Sequence, residues 1–341
     1  MKAIVFYEHG DVDRLQLAEV ETPEPARGEV LVQVRACALN HVDIWVRLGG
    51  GAYGPPLPHV LGGDVAGEIA ILGNEVEGPP VGTRVVIAPG ISCGNCSECL
   101  AGRDNRCSSA KILGAHVWGG YAEYVVVPAR NVVPIHDSFS FVEAAAVPIT
   151  FLTAWHLLVN RAAVRPGETV LVLGAGSGVG AAAIPIAKLA GARVIAASRT
   201  EVKRNQALQI GADEAVDSGG NFAETIMAIT GGQGVDVVVE HVGPATFSQS
   251  VASLRRGGRL VTCGSTTGPT TEFTLRTLFG RELSLIGGML GTRSEFATVM
   301  SLVAGGKLKP TIDRTFPLDE AADAQRRLLA QEQFGKIVLT A

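Results

Sequence analysis

The sequence predicts an α/β chain in two parts, a mainly β, barrel-like N-terminal domain followed by a doubly wound parallel sheet. Three observations carry that prediction. Residues 1 to about 130 hold short apolar runs broken by Gly and Pro. From there to about residue 285, strand-like runs alternate with helix-like ones. At the centre stands Val170-Leu-Val-Leu-Gly-Ala-Gly-Ser-Gly-Val-Gly180, followed by an Ala-rich run and a second apolar run at 193–197, which together read as β-turn-α-β.

In the first part the strand candidates are 30–36, 67–73, 84–88 and 121–127, spaced as in small barrels. Pro128 to Asn131, with Pro134, closes that region. Ser140 and Glu143 then have the spacing of a capping box and open a helix. Beyond it the strand candidates are 170–173, 194–197, 235–240, 259–263 and 283–286. The C-terminal part holds a helix at 294–304, a Lys307-Leu-Lys-Pro break, a helix from Leu318 and a strand at 336–339. It is expected to return to the first domain. The expected bounds are 1–145, 146–287 and 288–341.

The glycines of the central turn let the backbone bend sharply and approach a ligand, and the amides that open the next helix are a ready site for pyrophosphate. The spacing is not the strict G-x-G-x-x-G, because Val179 stands where the third glycine would fall. A turn that only packs helix on sheet is the other reading; two flanking strands favour dinucleotide binding. Gly174, Gly176, Ser177, Gly178 and Val179 are then cofactor contacts. The next strand ends in Ser198-Arg199-Thr200, with Lys203 and Arg204 following. No carboxylate at that tip takes ribose hydroxyls, and a guanidinium is placed to pair with a 2′-phosphate. NADPH is expected before NADH; a solvated basic helix start is the alternative.

Cys93-Gly-Asn-Cys96-Ser-Glu-Cys99, with Cys107 further on, is the most specific motif. Four thiolates on one short excursion supply a closed tetrahedral site, which is how structural zinc is held. One Zn²⁺ per chain is expected. Cys37 and Cys263 are isolated and read as buried thiols. A net charge of −4 gives no reason to expect nucleic acid or an anionic membrane as partner. No apolar run reaches a membrane span, and Met1-Lys-Ala-Ile-Val-Phe-Tyr has no signal-peptide pattern. The expectation is a cytoplasmic protein, where clustered cysteines suggest metal more than disulfides.

The cysteine lobe, the glycine turn and their order resemble the medium-chain dehydrogenase/reductase superfamily, the zinc alcohol dehydrogenase and quinone oxidoreductase group. Gly28-Glu-Val-Leu-Val-Gln-Val, Gly119-Gly-Tyr-Ala-Glu-Tyr-Val, Pro166-Gly-Glu-Thr-Val-Leu-Val and Gly257-Gly-Arg-Leu-Val match as well. The resemblance implies a GroES-like catalytic domain with the zinc lobe at about 90–110, a Rossmann domain, and an active site in the cleft between them. It also implies cofactor contacts at Val242, Gly264, Ser265, Met289 and Lys336, with Lys336 on a segment that closes over the cofactor. There the backbone of His241-Val-Gly243 matters more than the imidazole. A homodimer or homotetramer is implied too, built by strand edges near 283–289.

The departures from the family pattern bear on mechanism. Zinc alcohol dehydrogenases carry a catalytic Cys where this chain has Asn40, and their Gly-His-Glu aligns with Gly62-Gly63-Asp64. Pro148-Ile-Thr-Phe-Leu-Thr153 offers no third zinc donor. Asn40-x-x-Asp43 and that later segment instead resemble the zinc-independent quinone oxidoreductases. The expected activity is NADPH-dependent reduction of quinones or other α,β-unsaturated carbonyls without catalytic zinc. Asn40 would orient nicotinamide or substrate, Thr153 would serve the carboxamide side, Tyr53 would donate a hydrogen bond and Trp45 would form a wall. His41 is either a proton donor or a partner of a carboxylate such as Asp43. Two alternatives stand: an alcohol or aldehyde dehydrogenase with an atypical site, for which His59, Asp64 and Asp43 are the remodelled ligands, and a non-catalytic NADPH-binding sensor or nucleic-acid binder.

Overall fold

The structure is a computed structural model that describes residues 1–49 and 54–341. The chain forms two compact units. One comprises Met1–Ile149, Thr292–Gly306 and Pro310–Ala341; the other comprises Thr150–Gly291 with Lys307–Lys309.

In the first unit the long strands Glu29–Ala38 and Asp64–Leu72 pair antiparallel and anchor a seven-stranded sheet. Their apolar positions, Val30, Val32, Val34, Val65 and Ile69 among them, are buried. The C-terminal strand Lys336–Thr340 pairs with Glu29–Ala38, setting Val338 against Ala38. Backbone N–H of Leu39 donates to Ile337 O at 2.9 Å. Thus the last strand runs beside the residues that lead into helix His41–Leu48.

Several stretches differ from the sequence prediction, among them the strands Glu214–Asp217 and Ile312–Pro317, which it lacked. Strand Tyr124–Pro128 starts later than 121, because Tyr121 bonds to Ile4 and Leu61 through its backbone instead. The segment Val132–Pro134, predicted to close the β region, is a strand paired with Arg84–Ile87. Pro134 hid it: proline lacks a ladder donor and is tolerated only at a sheet edge such as this one. The capping box is present, with Ser140 Oγ accepting from Glu143 N at 3.2 Å and Ser140 N–H donating to the Glu143 carboxylate at 3.3 Å.

The second unit holds a six-stranded parallel sheet in the order Glu214–Asp217, Arg193–Ser198, Thr169–Val172, Val235–Glu240, Leu254–Thr262, Ser284–Gly287. Val170, Leu171, Val194, Ile195, Val237 and Val238 are fully buried, as expected of strands covered on both faces. Helix Gly178–Leu189 follows the glycine turn. The sheet winds outward in both directions from the pair Thr169–Val172 and Val235–Glu240. That reversal point is where open α/β sheets take their ligands.

Candidate functional site

Helix His41–Leu48 begins at Asn40, and the Asp43 carboxylate accepts from the Asn40 backbone N–H at 2.8 Å. The Asn40 side chain reaches inward. Its Nδ2 donates to Asp64 Oδ2 at 2.8 Å and to Ala38 O at 3.4 Å, while its Oδ1 accepts from Lys336 Nζ at 2.7 Å. Lys336 Nζ also donates to Leu39 O at 2.6 Å and to Asp64 Oδ2 at 2.8 Å. The other Asp64 oxygen accepts from Ile149 N at 2.7 Å. Both ends of the ion pair are out of water, with side-chain exposures of 4% for Lys336 and 0% for Asp64. Such a pair survives burial only because further hydrogen bonds complete it.

All three Lys336 ammonium protons go to Leu39, Asn40 and Asp64. Its charge acts beneath Asn40.

Asp43 lies below the same cluster, 1% exposed, and its Oδ2 also accepts from Tyr121 OH at 3.1 Å. Burial pushes its carboxyl up to about 7, against the lowering pull of the Asn40 N–H, Lys336 and Tyr121. Burial likewise holds the Cys37 thiol and the Tyr121 phenol well above their usual ranges, which leaves Cys37 inert. Sequence reasoning passed over Tyr121, Arg47 and Gln325. Arg47 is 1% exposed and donates through Nε to Gln325 Oε1 at 2.8 Å and through Nη1 to Gly10 O. Nothing in a short helix marks one charge as buried, so no local signal could have found it.

His41 stacks edge-on to Trp45, ring centroids 5.1 Å apart, and burial lowers its pKa, which keeps the imidazole neutral. His59 is buried against Phe6, 5.6 Å between centroids, with Nε2 3.1 Å from Gly114 O. Among the described residues the Cys93, Cys96, Cys99 and Cys107 group alone gathers three or more metal donors. The remodelled site from His59, Asp64 and Asp43 is therefore not assembled. Position 63 has no room for a metal-binding side chain either: a Cβ on Gly63 would lie 2.8 Å from Leu113 O. Tyr53 lies outside the described residues.

The thiol quartet fits a zinc ion. The four sulfurs lie within 4.8 Å of one another, with Cys93–Cys107 at 3.5 Å and Cys93–Cys99 at 3.9 Å, near the roughly 3.8 Å edge of a tetrahedral zinc–thiolate site. Backbone N–H groups of Asn95 and Cys96 pull the Cys93 thiol down to about 6. Asp104 ties the lobe down, accepting from Arg293 N at 3.3 Å at the start of helix Arg293–Ala304.

In the second unit, Gly174 adopts φ +54°, and Ser177 caps helix Gly178–Leu189, its Oγ accepting from Gly180 N at 3.0 Å. A Cβ on Gly180 would come 2.3 Å from Gly174 O, so helix and turn pack backbone to backbone. This cradle, with Gly176, Gly178 and Val179 along it, fits a dinucleotide pyrophosphate. Val242, Gly264 and Ser265 follow the ends of the two neighbouring strands. Met289 is 57% exposed, and Thr153 is buried on helix Pro148–Trp155.

At the tip of strand Arg193–Ser198, Ser198 is buried and Arg199 is exposed. Arg204 Nη1 donates to Ser198 O and Arg199 O, both at 3.1 Å, and Lys203 lies one residue before it. One carboxylate escaped the sequence reading. Asp217, on the neighbouring strand, stands in register with Ser198 and lies 3.5 Å from Arg204.

These features have counterparts in known proteins. Residues 26–137 match the model of the alcohol dehydrogenase GroES-like domain, and 178–305 match that of the zinc-binding dehydrogenases. The chain belongs to the medium-chain dehydrogenase/reductase superfamily. It is similar to the NAD-dependent alcohol dehydrogenase of Sulfolobus acidocaldarius, 33% identical across 99% of both chains. It is also similar to the human quinone oxidoreductase, 31% identical across 99% of this chain and 97% of that one. A crystal structure of an NAD-dependent alcohol dehydrogenase superposes with a TM-score of 0.97 at 44% identity, each chain fully covered. This member of the superfamily is an oxidoreductase, and its thiol quartet supports a structural zinc. Among the described residues no helix is long and apolar enough to cross a membrane.

Proposed function

We propose that this oxidoreductase reduces quinones or other α,β-unsaturated carbonyls with NADPH, without a catalytic metal, and carries one structural zinc. The observation that carries this reading is the Lys336 ammonium bonded to Asn40 and Asp64. The oxygens that could have contributed to a cation site already hold the chain's own cation. Zinc catalysis needs three protein ligands and an open position, and these donors do not supply it.

When bound, the reduced nicotinamide supplies a hydride. A conjugated acceptor spreads the incoming charge onto its oxygen, so fixed dipoles can replace a Lewis acid. Asn40 is held rigidly by Lys336 and Asp64, which suits it to fix the position of nicotinamide or substrate. His41, whose neutral imidazole keeps an N–H, is proposed to hydrogen-bond the developing oxyanion while solvent supplies the proton, and Thr153 serves the carboxamide side. Asp43 holds the start of the Asn40 helix.

Arg199, Lys203 and Arg204 support NADPH, since their charges favour a 2′-phosphate. A second reading, NAD-linked alcohol oxidation, is favoured by Asp217, which could take ribose hydroxyls, and by the name of the archaeal relative. Apolar side chains exposed around the edge strand Ser284–Gly287, Phe279 at 71% and Leu285 at 39%, support a homodimer or homotetramer.

Steady-state assays of chelator-washed enzyme decide between the readings. The expected result is NADPH oxidation with a quinone and enone panel, undiminished by the wash and exceeding any turnover of primary alcohols with NAD⁺ or NADP⁺. Activity carried away with a readily removed metal ion would overturn the proposal.

A further inference from the structure

The cysteine lobe is wrapped in hydrogen-bond donors. Backbone N–H groups of Asn95 and Cys96 face the Cys93 sulfur, that of Cys99 faces Cys96, and that of Gly94 faces Cys99. Cys93 N–H donates to Cys107 Sγ at 3.4 Å. Every sulfur of the quartet thus meets at least one amide. Two side chains from outside the four-cysteine motif extend this shell.

Ser92 stands just before Cys93 and is 5% exposed. Its Oγ has no hydrogen-bond partner among the nitrogen and oxygen atoms of the described residues, and the group it faces is the Cys99 sulfur. A buried hydroxyl left unbonded loses its hydration for nothing. A neutral thiol is only a weak acceptor and offsets little of that loss. A thiolate is a charged acceptor and offsets it well. The placement of Ser92 makes sense for a deprotonated, metal-bound quartet.

Arg130 belongs to the short turn Ala129–Asn131, which holds the base of the lobe. Asn131 Nδ2 donates to Ala88 O at 2.7 Å and to Gly90 O at 2.8 Å, and Ala88 N–H donates to Asn131 O at 2.7 Å. From that footing the Arg130 guanidinium donates through Nη2 to Ser92 O and lies against Gly94. A Cβ on Gly94, at φ +81°, would come 2.8 Å from Arg130 Nη1, so the glycine is what lets the cation approach this loop. Arg103, inside the lobe, is taken up by Glu98 at 2.8 and 2.9 Å. Among the described residues no carboxylate pairs with Arg130.

Four thiolates outweigh the charge of one Zn²⁺, so a loaded lobe is an anion. The guanidinium beside Gly94 is a counter-charge placed for it. We propose that Ser92 and Arg130 form the outer shell of the structural zinc site and set how long it keeps its metal. The hydroxyl bonds the Cys99 thiolate, and the guanidinium offsets the excess negative charge. The inference rests on reading the quartet as a zinc site.

The experiment times zinc release from the intact chain into excess pyridylazoresorcinol, below the melting transition, at low and at high salt. Wild type is compared with Ser92→Ala, Arg130→Met and Arg130→Lys. Arg130→Met is expected to release zinc about tenfold faster at low salt, with the gap closing as salt rises. Arg130→Lys, which keeps the charge, should stay near wild type. Ser92→Ala, nearly isosteric, should speed release about tenfold at either salt. Release at the wild-type rate from Arg130→Met or from Ser92→Ala overturns the proposal. So does an acceleration in Arg130→Met that is equal at both salts and shared by Arg130→Lys, which would mark only the lost bond to Ser92 O. A wild-type chain that holds no zinc would instead overturn the reading of the quartet, and the proposal with it.

Discussion

Lys336 Nζ lies 2.8 Å from Asp64 Oδ2, a bond across 272 residues of sequence with both charges buried. Removing one partner strands the other in a dry site. Lys336→Met should therefore cost about 3–5 kcal/mol, read as a lower denaturant midpoint at unchanged slope. Adding Asp64→Asn should recover much of that, because no unpaired charge then remains. A single variant as stable as the wild type would mean the pair contributes nothing.

Asp43 predicts a pH dependence. Its carboxyl is raised from 3.8 to about 7, so between those values the folded chain binds more protons than the unfolded one. Stability from this group is then present at low pH and falls as pH rises from about 4 to about 7, by at most about 1.4 kcal/mol per pH unit. Asp43→Asn keeps an acceptor for the Asn40 N–H and removes the titration. The variant should gain on the wild type as melting is followed from pH 5 to pH 8; parallel curves would count against a raised carboxyl.

The adenosine end yields a cofactor prediction. Arg199→Ala and Arg204→Ala should each raise KM for NADPH by about tenfold or more, from loss of a charge-assisted contact, with little change for NADH. Asp217→Asn should act the opposite way, weakening NADH and sparing NADPH. Paired kcat/KM values for both cofactors check this, and an inverted pattern would favour the NAD reading.

Zinc analysis of chelator-washed protein should find about one ion per chain, held until the lobe unfolds. Because Asp104 anchors the lobe to the start of helix Arg293–Ala304, replacing Cys96 with Ser should also raise hydrogen exchange in that helix. Unaltered exchange would show the lobe to be independent of it.

Local sequence determined the parts of this protein whose chemistry is local. Four thiols within fifteen residues of chain can meet on one ion, and a glycine turn between two apolar runs can form only a few structures. Both were legible. Tertiary structure decided what surrounds them. Lys336 reaches Asn40 because the last strand pairs with Glu29–Ala38; Asp217 stands beside Ser198 because their strands pair in register; and His241 meets Ser177, 64 residues away, because the strands that precede them are neighbours. Each is a contact between residues with no pattern in common along the chain. A charged or polar side chain is ordinarily solvated, so only the packed strands could make these partners part of the site.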